Sequence, residues 1–285
     1  MREPMTQPAT ATGLLGDTPS RDYASKLRRF NAFAEPEIRQ AIASVALKPG
    51  MRVLDAGCGT GEALRWLADE VGPEGAVIGM DLSVPHLKAA HLIAPENGAL
   101  VLQGNMLDPP IAPASVDLVW SVNAINHLRS PAAGVDALLA LIRPGGRLAL
   151  GQSALLPDMV FAWDSRLERL VNEAVRQYYR DRYQLDEREL TWIRAIVGLL
   201  RQAGLRQVRV RTFMIERVAP LRVEDENYLV EAIFRGTWGD RLQPYLSGSD
   251  YEEMMRLCDP QHPDFALRRP DFHFLQSFTL AVGHL

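Results

Sequence analysis

Two hydrophobic rhythms alternate along the chain. Between residues 49 and 152, short apolar runs, "MRVLDAG", "GAVIGMD", "ALVLQGN", "VDLVWSV" and "GGRLALGQ", alternate with "EALRWLADEV", "SVPHLKAAHLIA" and "SPAAGVDALLALI", whose apolar positions recur three and four apart. The runs have strand length and apolar residues on both sides, and the spacers read as helices, so this segment predicts a parallel sheet covered on two faces. Gly72-Pro73 ends the first helix, Ser83 N-caps the second, and Pro144-Gly145-Gly146 turns into the fifth strand. Upstream, "DYASKLRRFNAFAEPEIRQAIASVAL" has helical spacing, with Pro36 predicting a break into a second helix.

Past Gln152 the regular beat stops. Trp163, Leu167, Leu170, Ala174 and Tyr178 make one helical stripe; Asp186 and Glu189 form a capping box for a further helix that stops at Gly204. An alternating strand, "RQVRVRTFMIERV", and a last one, "FLQSFTLAVGHL", flank a helical insertion in which Ser249 and Glu252 form another capping box. The expected organisation is a flexible tail (1–20), a helical cap (21–48), a cofactor-binding core (49–152), a helical insertion (153–188), the rest of the core sheet (189–218 and 274–285) and a second helical insertion (219–273).

Composition adds exclusions. A net charge of −4 without any basic run gives no footprint for nucleic acid or anionic membrane, and no apolar stretch has the length of a membrane span. The two cysteines, Cys58 and Cys258, make neither a disulfide framework nor a cysteine zinc site, and no metal is expected. The start of the chain has no hydrophobic signal core, so a cytoplasmic, reducing compartment is expected. Only three lysines occur, Lys26, Lys48 and Lys88, which leaves no Tyr-x-x-x-Lys pair of the kind an oxidoreductase uses.

The chemistry concentrates in "VLDAGCGTG", where the first strand runs into a glycine loop. Such a loop leaves the carboxyl end of a strand, where ligands bind in open α/β sheets, and glycine lets the backbone approach them closely. Dinucleotide sites favour G-x-G-x-x-G with a helix N-terminus facing pyrophosphate. Here the pattern is Gly57-x-Gly59-x-Gly61 behind Asp55, and an acid at the loop's mouth repels phosphate and suits an ammonium group. Asp81 ends the second strand in position to accept hydrogen bonds from a ribose diol, Asn105 ends the third where its amide meets an adenine edge, and Ser121 ends the fourth beside the same crevice.

Taken in order, "VLDAGCGTG", "GMDLS", "GNM", "VDLVWSVNAINHL" and "IRPGGRLAL" resemble the class I S-adenosylmethionine-dependent methyltransferases, in particular the small-molecule branch with the ubiquinone and menaquinone C-methyltransferases. The resemblance covers residues 45–152 by motif and 190–285 by strand pattern alone. It implies a Rossmann-like α/β fold with a seven-stranded, mostly parallel sheet, helices on both faces, an antiparallel last strand inserted beside the sixth, and helical additions forming a lid. It also implies that S-adenosyl-L-methionine is the cofactor. Asp55, Gly57 and Gly59 then contact the methionine end, Asp81 the ribose with Leu82 beside the adenine, Asn105 and Met106 flank the adenine, and Ser121 lines the wall. Asn105 departs from the acid common at this position, which changes the adenine contact.

Methyl transfer from a sulfonium depends on placing a nucleophile in line behind the methyl, and this alone contributes roughly 7–11 kcal/mol. A base adds about 10² to 10⁴-fold for an acidic acceptor. His127, on the loop after the fourth strand, is the candidate base, with Asn123 and Asn126 as candidates for orienting an acceptor. His86 reads as a solvated helix position and Cys58 as loop packing. "DPP" at Asp108–Pro110 precedes the fourth strand, so it is a turn and not the motif of base- or glutamine-methylating enzymes. Trp163, Tyr178, Phe234 and Trp238 from the insertions, with Tyr23 from the cap, are the expected walls of an apolar substrate pocket for a small molecule. Part of the same surface suits a homodimer. Two alternatives stand beside the methyltransferase: an NAD(P)-dependent oxidoreductase, and a cofactor-binding module without methyl transfer.

Overall fold

The computed structural model describes residues 24–94, 98–154, 160–161, 164–183 and 192–285. Tyr23, Trp163 and the capping box at Asp186 and Glu189 lie outside the described residues. The core sheet contains β1 (Arg52–Ala56), β2 (Ala76–Asp81), β3 (Leu100–Gln103), β4 (Val116–Val122), β5 (Ile142–Ser153), the two-residue β6 (Val160–Phe161), β7 (Arg206–Val218) and β8 (His273–His284). The strand order is β3-β2-β1-β4-β5-β8, with β7 on the far side of β8 and β6 extending the β5 side. β1 to β5 are mutually parallel, and β8 runs antiparallel between β5 and β7. The seven long strands therefore have the expected arrangement.

Two apolar layers follow from the strand period, because consecutive residues face opposite sides. On one face Val53, Leu118, Trp120, Phe274 and Phe278 pack beneath α1 (Ala24–Ser44), α2 (Glu62–Val71) and α5 (Ser165–Tyr183). On the other, Leu54, Val119, Leu148 and Leu150 meet α4 (Pro131–Leu139) and α6 (Trp192–Gln202). α3 (Val84–Ile93) follows β2, and α6 stops as expected, with Gly204 at φ +85°. The 219–273 insertion contains α7 (Val223–Asn227), a π-helix over Tyr228–Trp238 and α8 (Gly248–Cys258).

Three local expectations need correction. α1 runs unbroken through Pro36, because its buried residues Phe33, Ala34, Ile38, Ala41 and Ile42 hold one face on the core across the proline. Outside help comes from Arg217, whose guanidinium donates to the Phe33 carbonyl and to Glu37 Oε1 (2.9 Å) and Oε2 (3.0 Å). The cap of α8 is Ser247, accepting from the Asp250 N–H at 3.2 Å, and not Ser249. Ser83 stands at the N-cap of α3 but makes no side-chain cap bond; its N–H is held by Asp81 instead.

Candidate functional site

A cavity opens at the carboxyl ends of β1, β2 and β4, where the glycine loop, the start of α3, the turn after β3 and the loop after β4 converge beneath α1. Its polar middle is set by the strand ends. Asp55 is 3% exposed, and burial, followed by the charges of Asp81 and Glu62, pushes its carboxyl up from 3.8 to about 8. None of the described lining residues is a Lys or Arg. A protonated acid in a cavity whose described lining holds no Lys or Arg is poised to ionise when a cationic group arrives.

Asp81 takes up the glycine loop: Oδ2 accepts from the Gly59 N–H at 2.9 Å, and Oδ1 from the Ser83 N–H at 2.8 Å. Gly57 has φ +86°, and a Cβ there meets the Ala124 Cβ at 2.4 Å, so the loop after β4 closes directly on this turn. Leu82, Asn105 and Met106 line one end of the cavity. Asn105 Oδ1 accepts from the Leu107 N–H at 3.0 Å, which fixes the turn and orients the side-chain amide.

The structure brings together Asp55, Gly57, Gly59, Asp81, Leu82, Asn105, Met106, Asn123 and His127 around one cavity. Other expectations diverge, and Asn123 reaches the cavity in a different role. Ser121 is buried and donates to the Ala56 carbonyl at 2.7 Å, bracing β1 against β4 away from the described lining. Asn123, at φ +52°, spends its amide on Ser153, donating to Oγ at 3.0 Å and accepting from N–H at 2.8 Å, and so ties the ends of β4 and β5 together. Phe234 and Trp238 are core residues at 2% and 1% exposure, packed on each other at 5.3 Å between ring centroids. Tyr178 packs edge-on to Tyr179 and Tyr245. Tyr178, Phe234 and Trp238 thus pack on neighbouring rings and are absent from the described cavity lining, because helices of that amphipathicity satisfy their apolar faces first.

α1 forms the wall instead. Leu27, Phe30 and Asn31 line the cavity from above, with Trp66 of α2 and Trp120 of β4 at its apolar end. Phe30 and Phe33 pack on Tyr228 of the π-helix, at 5.7 Å and 4.4 Å. Asn31 donates to Glu62 Oε2 at 2.7 Å, and Thr60 of the glycine loop donates to the same oxygen at 2.6 Å. The indole N–H of Trp66 is buried without an acceptor among the described residues. Sequence reasoning missed these residues because α1 and β4 read as ordinary apolar patterns; nothing local says that part of each faces a void. His86, read as solvated, is 9% exposed and lines the cavity. Burial and the surrounding carboxylates push the Cys58 thiol well above its ordinary range, in keeping with packing.

Among the described residues, no cluster of His, Cys, Asp and Glu is arranged to hold a metal ion, and no helix is long and apolar enough to cross a membrane. Residues 54–150 match the family model described as a methyltransferase domain. The chain is 29% identical to nocamycin O-methyltransferase of Saccharothrix syringae over 75% of its own length and 77% of that protein's. It is 38% identical to a ubiquinone biosynthesis O-methyltransferase of Paracidovorax citrulli, over 34% of this chain and 41% of the relative. A phosphoethanolamine N-methyltransferase 2 of Haemonchus contortus, solved with phosphomonomethylethanolamine and S-adenosylhomocysteine, shares the fold with TM-score 0.54 and 17% identity, over 93% of this chain and 58% of that one.

Proposed function

We propose that the chain, similar over residues 54–150 to the methyltransferase domain family and over most of its length to an O-methyltransferase, is a class I S-adenosylmethionine-dependent methyltransferase that moves the methyl group in line to a small, apolar or aromatic acceptor held between α1 and the ends of β1 and β4. The observation that carries the reading is the buried Asp55 carboxyl in a cavity whose described lining has no Lys or Arg. S-adenosylmethionine has an ammonium and a sulfonium, so the residues present fit it; a pyrophosphate fits poorly beside Asp55 and Asp81. When bound, the cofactor supplies a methyl already activated on sulfur.

The protein's own residues hold and orient. Asp55 receives the ammonium as its carboxyl ionises, Asp81 accepts from the ribose hydroxyls, Leu82 and Met106 flank the adenine, and Asn105 presents its amide to the adenine edge. Gly57 and Gly59 allow close approach of the loop backbone. Phe30, Trp66 and Trp120 offer flat apolar surface to an acceptor, and the free indole N–H of Trp66 selects an acceptor oxygen. α1 excludes water from this end, which strengthens the electrostatics inside. His127, exposed at the rim, takes the proton of an acidic acceptor.

An enzyme of a reducing cytoplasm agrees with two buried free thiols, Cys58 and Cys258. A homodimer is supported by the long strand β7, which exposes Val210 (46%), Met214 (51%) and Val218 (57%). Calorimetry with S-adenosylmethionine, S-adenosylhomocysteine and NAD(P) tests the cofactor reading; binding of the dinucleotide alone overturns it. A crystal structure with S-adenosylhomocysteine tests the acceptor reading: free space beside the sulfur walled by charged groups, and not by Phe30 and the two tryptophans, ends it.

A further inference from the structure

His86 sits on the first turn of α3, one helical turn before Ala90. Positions four apart share a helix face, and Ala90 is packed so closely on the glycine loop that a Cβ at Gly61 meets its Cα and Cβ at 3.0 Å. That contact presents His86 to the end of β2, where its Nδ1 lies 3.4 Å from Asp81 Oδ1. Asp81 is otherwise held by main-chain donors of two different elements, the Gly59 N–H of the glycine loop and the Ser83 N–H before α3. The imidazole brings a side-chain nitrogen to the same carboxylate from a buried position on the cavity wall.

We propose that His86 is a positioning residue for cofactor binding: its Nδ1–H, donated to Asp81 Oδ1, fixes the carboxylate that receives the ribose hydroxyls. The proposal rests on the reading of Asp81 given above. Donation from Nδ1 selects one tautomer. Held from the loop, from the α3 start and from the helix itself, the carboxylate keeps one orientation as ligand enters, so that little ordering remains for the binding step.

The test is calorimetric binding of S-adenosylmethionine and S-adenosylhomocysteine to the full chain and to His86→Ala, His86→Asn, His86→Gln, Asp81→Asn and the double variant H86A/D81N, each with its melting temperature. Asparagine puts an N–H where Nδ1 is, and glutamine where Nε2 is. The expected result is a Kd raised about tenfold by H86A and by H86Q for both ligands, because both carry the ribose, with H86N within about threefold of the parent. In the D81N background, H86A adds nothing further, as expected of two residues acting through one hydrogen bond. Parental binding by D81N removes the ribose reading of Asp81. Weakened binding by D81N with parental binding by H86A and H86Q overturns the positioning role alone. So does H86N binding as poorly as H86Q, or additive losses in the double variant, either of which makes His86 a packing residue. If H86A folds poorly, the contrast between H86N and H86Q decides.

Discussion

Asp55 is where a single residue joins sequence, energetics and chemistry. It is the last residue but one of β1, its main chain pairs with Gly79 and Trp120 of the flanking strands, and its side chain is buried where the strand meets the cavity. The folded-state value of about 8 lies above the ordinary 3.8. The protonated carboxyl thus favours the folded state; this contribution is complete below pH ~4 and is lost as pH rises toward 8. Ligand-free protein should accordingly lose thermal stability across that window relative to Asp55→Asn, and the difference should vanish near pH 4. A flat difference between the two melting curves from pH 4 to 8 refutes the shift. Cofactor binding near neutral pH should release a proton as Asp55 ionises, so the binding enthalpy should vary with the ionisation enthalpy of the buffer in the parent and not in D55N. At the rim, His127→Ala should lower kcat by about 10² to 10⁴-fold with an unchanged cofactor Kd. Unchanged turnover removes the base role of His127.

Among the elements, α1 decides most. Its face toward the sheet reads as core in any helical plot, yet Leu27, Phe30, Asn31 and Ile38 line the site while Ala34, Ala41 and Ile42 are buried outside the described lining. Two of its polar anchors each join three side chains. The first is Arg217 of β7, which joins Glu37 of α1 to Asp225 of α7 by ion pairs at 2.9 and 3.0 Å and lies 4.8 Å from the centre of the Phe33 ring. Arg217→Ala leaves Glu37 buried without this partner and Asp225 with Arg222 alone, and should cost about 3 kcal/mol in denaturant unfolding. Loss of under 1 kcal/mol shows that Arg222, which also pairs with Asp225, compensates. The second anchor is Asn31, through Glu62 to Thr60. Asn31→Ala should speed cofactor dissociation about tenfold in stopped flow, the worth of one hydrogen bond to a charged group. An unchanged rate means that α1 does not retain the cofactor.

For the whole molecule, binding must report as stability, since a ligand that binds only the folded chain adds about 2.7 kcal/mol at one hundred times its Kd. S-adenosylmethionine should therefore raise the melting temperature by roughly 5 °C or more at that excess, and NAD(P) should not; the reverse pattern contradicts the cofactor assignment. The sequence by itself determined the parallel α/β order, the glycine loop and the acids ending β1 and β2, because strand period, turn chemistry and charge act within a few residues of one another. His86, Trp66, Trp120 and the α1 wall could not be read there. Neither could the loss of Phe234, Trp238 and Ser121 to packing. Apolar periodicity says only that a residue leaves water, not whether another side chain or a ligand fills the space it faces. That choice falls to tertiary contacts between elements distant in sequence, such as Phe33 on Tyr228, Gly57 against Ala124 and Asn123 on Ser153.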